Sequence, residues 1–189
     1  MFIDCARPRI IKSHHPSPQP YKKVVYLVRD GRDVAVSYYY HLKKYRLISN
    51  SIEFQDYLLK FINGTLDGYG PWGNHVQDWV NSDVGDIMII RYEDLKEAPL
   101  PILKRVIEFC GLDVNEDNLV RAIAASDVKE MQAMEKAQQK DVEVLSNSDS
   151  SIPFVRKGVV GDWRDHFDAP MLTLFLESFG ATLSDQRYL

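Results

Sequence analysis

The 189-residue chain is poor in the features that would place it quickly. It has only two cysteines, Cys5 and Cys110, far apart in sequence, which excludes a disulfide framework and any cysteine metal motif. Two separated thiols fit a reducing compartment, and the expected location is cytoplasmic. No apolar run approaches the roughly 20 residues needed to span a bilayer. The longest β-rich run, Val24–Val28, is flanked by Lys22, Lys23 and Arg29, and the first residues, MFIDCARPR, lack the apolar core of a secretory leader. Positive charge is not in excess: the formal net charge is −4, which argues against nucleic acid or an anionic membrane as partner. Any anion site must be local. The G-x-x-x-x-G-K-[ST] phosphate loop occurs nowhere, so an ordinary nucleotide kinase is disfavoured.

What remains is an ordinary globular composition, 45% hydrophobic and 26% charged, of single-domain length. Three runs read as strands: PRIIKS (Pro8–Ser13), VVYLV (Val24–Val28) and DIMIIRY (Asp86–Tyr92). Their continuous rather than alternating apolar character predicts a parallel sheet buried on both faces. Between and after them, helical spacing predicts helices over about Asp33–Tyr45, over Phe54–Phe61 with Ser51 as cap and Asn63-Gly64 as stop, and over Gly73–Val80. A strong amphipathic helix is expected from Pro99 or Leu100 to Cys110, ended by Gly111. Short helices follow around Leu119 and from Ser126 to Lys136, with a last one over Ala169–Phe179. The polar, serine-rich stretch from Gln138 to Ser151 reads as a mobile surface loop. Strands alternating with helices give the α/β class.

In open α/β sheets, ligands sit beyond the carboxyl ends of the strands. His14, Arg29 and Tyr92 follow the three strand candidates. Each alone has a bland reading: a satisfied histidine, a solvated cation, a packed ring. Three at equivalent positions form a pattern. The segment KKVVYLVRDGRDVAVSYYY (Lys22–Tyr40) joins a strand, a cationic turn and a helix, the layout of a phosphate site. Arg156-Lys157-Gly158 adds two cations before a glycine, where backbone N–H groups can approach an anion. Tyr38, Tyr39 and Tyr40 are expected mainly in the core.

The segments RIIKSHHP, VVYLVRDGRDVAVSYYY, IIRYEDL, SDVKEM and FVRKGVVGDWRDHF resemble, in order and at similar spacing, those of the PAPS-dependent sulfotransferases, nearest to the cytosolic small-molecule branch. The likeness runs from Pro8 to about Phe167. It implies the α/β sulfotransferase fold, a parallel sheet flanked by helices and related to the P-loop nucleotide kinases. Residues 1–189 would form one sulfotransferase-like domain, N-terminally truncated and equivalent to the C-terminal two thirds of the family domain.

It also implies roles. Arg29 and Ser37 match the pair holding the nucleotide's 3′-phosphate, and Arg156, Lys157 and Gly158 the loop closing on it. Tyr92 and Ser126 match residues reading the adenine. Val128 stands where an aromatic side chain often stacks on the base. His14 matches the catalytic base, a task suited to imidazole. Lys12, two residues earlier, matches a lysine near the transferred group. His15, His41, His75 and His166 have no match and are read as structural. The implied co-substrate is PAPS (3′-phosphoadenylyl sulfate), with PAP as product and no metal. The implied partner is a small-molecule acceptor presenting a hydroxyl or amine.

Nothing before Pro8 resembles the family's strand and loop that cradle the 5′-phosphosulfate. That leaves three explanations: a fragment, which is favoured; a short form completed by another chain or a homodimer; or a member that binds nucleotide or a partner without transfer. The Tyr-rich segment anchors the nucleotide in all three.

Overall fold

The computed structural model describes residues 10–189. Two six-residue strands, β1 (Lys23–Val28) and β2 (Asp86–Arg91), pair in parallel with Lys23 opposite Asp86 and Val28 opposite Arg91. Between them run α1 (Gly31–Lys44), α2 (Phe54–Ile62) and α3 (Trp72–Val80). After β2 come α4 (Tyr92–Glu97), α5 (Pro99–Cys110), α6 (Glu116–Ala125), α7 (Val128–Gln138) and the one-turn α8 (Glu143–Ser146). A 3₁₀ turn at Asp162–Asp165 and α9 (Ala169–Asp185) complete the order. The class is α/β with a parallel sheet, as expected.

Local chemistry sets the element ends. The Asp30 carboxylate accepts from the Arg32 N–H at 2.9 Å, capping α1. Asp30 also grips the Arg32 guanidinium, and the pair is buried. Gly31 is needed there: a Cβ would sit 2.7 Å from the Trp72 ring. The core below the sheet is mostly aromatic, built from Tyr39, Tyr57, Phe61 and Trp72 with Phe175 and Phe179 of α9. Gly111, at φ 69°, ends α5 as anticipated.

Four expectations fail. Residues 10–13 of the PRIIKS run form no strand, and Ile10 and Ile11 are exposed at 79% and 54%; Pro8 and Arg9 lie outside the described residues. A strand exists only through ladder partners, and β1 pairs with β2 alone among the described residues. The sheet is accordingly not covered on both faces. Along β1 exposure alternates, with Val25 and Leu27 outward, and Ile89 of β2 is exposed with them. Helix α5 approaches that outward side, where the Lys23 ammonium donates to the Phe109 carbonyl at 2.6 Å. Ser51 does not cap α2; its hydroxyl bonds Ser49, and Glu53 holds the cap position.

The fourth concerns the serine-rich stretch, which is tied down rather than mobile. Lys44, at the end of α1, is buried: its side chain is 1% exposed. Its ammonium pairs with Glu135 of α7 at 2.8 Å and donates to the Ile152 carbonyl at 2.8 Å. Its own carbonyl accepts from the Asp149 N–H at 2.7 Å. Serines here spend their hydroxyls on local backbone, as Ser148 does on the Leu145 carbonyl. A polar composition therefore folds around one buried cation.

Partial burial works against the Glu135 charge. The Lys44 ammonium and the Phe154 N–H outweigh it and hold the carboxyl below its ordinary value. The stabilisation from a depressed carboxyl is present above the unfolded-state value and is lost as pH falls through the folded one. Lys44→Ala strands a buried carboxylate and is expected to lower stability by on the order of 3 kcal/mol. Urea unfolding checks this. The parent's midpoint should fall on acidification from pH 6, and a Lys44→Met, Glu135→Gln double variant should lose part of that dependence.

Candidate nucleotide site

An open cavity of about 2310 Å³ lies beyond the carboxyl end of β1 and along its uncovered side. Six lysines and arginines line it against two aspartates, although the whole chain is net negative. Eight of the ten residues picked from the sequence are on its wall: Lys12, His14, Arg29, Ser37, Tyr92, Arg156, Lys157 and Gly158.

Arg29 follows the last residue of β1. Its guanidinium lies over the Tyr92 ring at 4.5 Å, donates to the Val159 carbonyl at 3.0 Å and stands 3.5 Å from Asp33. Its Nε is buried and has no hydrogen-bond partner among the described residues. A buried donor left open at a strand end is the feature an anion would satisfy. Tyr92 begins α4 directly after β2, so parallel pairing of the strands brings the two side chains together. Ser37, two turns into α1, exposes its hydroxyl to the cavity.

The 156–161 loop is brought to Arg29 from far along the chain. Asp33, in the first turn of α1 and 1% exposed, accepts from the Gly161 N–H at 2.8 Å and the Trp163 N–H at 3.0 Å. From the other side, the Gln132 amide of α7 donates to the carbonyls of Val155 at 2.7 Å and Arg156 at 3.0 Å. Gly158 has φ +62°, and a Cβ there would lie 2.4 Å from Val128 Cγ2. The glycine is required both by its backbone and by its neighbour.

Asp162 balances the loop's charge. Its carboxylate pairs with Arg156 and with Lys157, the latter at 2.5 Å, and His166 stands 3.5 Å away. Burial opposes its ionisation, but the two cations outweigh this and hold the carboxyl below its ordinary range. Arg156 also lies over Tyr40 at 4.5 Å. Asp162 thus holds both cations, and Lys157, 46% exposed, keeps the greater freedom to turn toward an anion.

Two picked residues are not on the wall. Ser126 caps α6 and spends its hydroxyl on the Ala122 carbonyl at 2.8 Å. Val128 heads α7 and packs under Gly158. The tyrosine run packs with the core as expected: Tyr39 lies in it, and Tyr38 and Tyr40 pack against it while also lining the cavity. Tyr38 donates to Asp67, and burial together with that carboxylate raises its hydroxyl well above the ordinary value. Lys12 and His14 line the cavity from an irregular stretch. Asp33, Gln132 and Asp162 were not singled out from sequence. Asp33 and Asp162 do lie within the motif strings DGRD and RKGVVGDW, but spacing cannot show a partner 128 residues away.

Comparison with known proteins agrees with this layout. The model described as "Sulfotransferase domain" matches residues 3–187. Bovine sulfotransferase 1A1 is 30% identical over 183 residues, covering 93% of this chain and 62% of that protein. Bovine sulfotransferase 1E1 is 32% identical, covering 87% and 58%. Among solved structures, retinol dehydratase in complex with retinol and PAP superimposes with a TM-score of 0.73 at 27% identity, over 86% of this chain and 48% of that one. Mouse sulfotransferase SULT7A1 complexed with PAP gives 0.67 at 28% identity, covering 85% of this chain and 58% of the other. The chain spans less than two thirds of the length of these relatives. A match over nearly all of its own length places the chain in the sulfotransferase family.

Proposed function

We propose that this chain, as one sulfotransferase-like domain, carries the 3′-phosphate half of a PAPS site and the base of a sulfuryl transfer to a small-molecule hydroxyl or amine. The observation that carries the reading is the convergence of Arg29, with its buried open donor, on the glycine loop at 156–158. These residues fit a phosphate: a fixed guanidinium gives charge-assisted bonds, and Gly158 gives close backbone approach. Lys157 exchanges part of its pairing with Asp162 for the ligand. Tyr92 presents its ring beside the same anion, and the resemblance of the IIRYEDL segment implies an adenine contact for it. For Ser126 and Val128, off the wall, the adenine role is implied by the resemblance of the SDVKEM segment alone.

PAPS when bound supplies the sulfuryl group. The chain's own residues orient and deprotonate. His14 takes the acceptor's proton, and Lys12 offsets negative charge beside the attacking oxygen. No segment of the sequence matches the 5′-phosphosulfate loop. A second reading is a PAP-binding or partner-binding module without transfer.

Calorimetry with PAP tests the shared part. Arg29→Ala removes charge-assisted bonds and should weaken PAP by about 10- to 100-fold; unchanged affinity would remove the site assignment. Gly158→Ala should weaken PAP and lower stability by about 1–3 kcal/mol, since it forces a left-handed alanine against Val128. Adding Val128→Ala should recover only the clash and not the backbone strain. Sulfate transfer by the purified chain separates the two readings. His14→Ala is expected to lower turnover by about 10²- to 10⁴-fold with PAP affinity retained, and equal turnover of variant and parent would exclude the base role.

A further inference from the structure

His14 lies in a stretch without regular structure, so no ladder or helix holds its backbone. A base must nevertheless be aimed. Helix α3 supplies the anchors. The indole Nε1 of Trp79 donates to the His15 carbonyl at 2.9 Å. One turn earlier on the same face, the His75 ring has the His14 backbone carbonyl as a polar neighbour. His75 Nδ1 stands 3.0 Å from the Tyr26 hydroxyl of β1. The Tyr26 ring stacks with both: its centroid is 6.0 Å from His75 and 6.0 Å from Trp79, at 23° and 16°.

The proton positions follow. Burial keeps the Tyr26 hydroxyl protonated. Burial also lowers His75 below its ordinary value, against the pull of the His14 carbonyl, so its ring is neutral at pH 7. Tyr26 then donates to Nδ1, which leaves the proton of the neutral ring on Nε2. Locally, the Ser13 hydroxyl accepts from the His15 N–H at 3.0 Å and His15 Nδ1 accepts from the Ser17 N–H at 3.2 Å, closing the turn.

We propose that Tyr26, His75 and Trp79 form a brace that fixes the backbone at His14 and His15 and so aims the His14 imidazole into the cavity. His75 and Trp79 are positioning residues: they act through the main chain and touch no reacting atom. The inference rests on the reading of His14 as base for its consequence in turnover, but not for its structural content. It gives His75, unmatched in the sequence reading, a definite task.

The test uses the full chain with PAP. Amide ¹⁵N relaxation should give order parameters for Ser13, His14, His15 and Ser17 near the rigid value of about 0.85, falling below about 0.6 in Trp79→Phe and in His75→Phe. PAP affinity and the order parameters of α1 and β1 should not change. With a simple phenol as acceptor probe, kcat should fall by about 10- to 100-fold while KM for PAPS holds, the cost of a misplaced group. His75→Gln, which keeps a polar partner for the Tyr26 hydroxyl, should restore most of both. Unchanged order parameters at 13–17 in both ring variants would overturn the brace. A His14→Ala variant as active as the parent would instead remove the base role and leave the brace to be judged by relaxation alone.

Discussion

The cavity depends on one buried carboxylate. Asp33 sits at the start of α1, where the helix's free N–H groups favour negative charge. It spends both oxygens on amides from the turn after the 156–158 loop. Without that clip, the strand side would hold the basic loop only through the Arg29 bond to the Val159 carbonyl. A buried carboxylate is tolerable only when its oxygens are occupied, and two backbone N–H groups do this without neutralising it. The remaining negative charge also steadies Arg29 from 3.5 Å. One residue therefore fixes both the geometry and the sign of the site.

Charge is handled by pairing rather than by accumulation. The two loop cations meet Asp162, Arg32 meets Asp30, and Arg29 stacks on Tyr92. Unpaired, a row of cations at the mouth of a half-covered sheet would repel. Paired, they are held close together without that repulsion. The chain can thus carry a basic cavity under an overall negative charge.

Much of this was legible before the structure. Apolar runs located β1 and β2, the three-four spacing located the helices, and glycines marked the ends of α2 and α5. The chemistry-bearing positions followed from strand ends and the motif segments. Three things were not legible. Ladder pairing of the residues after Pro8 was inferred from apolar character alone, but a strand needs a neighbour that composition cannot show. The stretch 138–151 looked mobile because its residues are polar, yet its order comes from Lys44, a residue at the end of another helix. The tasks of Asp33, Gln132 and His75 depend on contacts between segments distant in sequence, and a single residue type at one position carries no record of them.

Helix α7 holds two of those contacts one turn apart. Gln132 grips the backbone at Val155 and Arg156, and Glu135 grips Lys44. The two side chains lie on one face, so the 156–161 loop and the C-terminal end of α1 share a single support. The two are therefore not independent: a change that loosens α7 removes a hydrogen-bonded support from both at once.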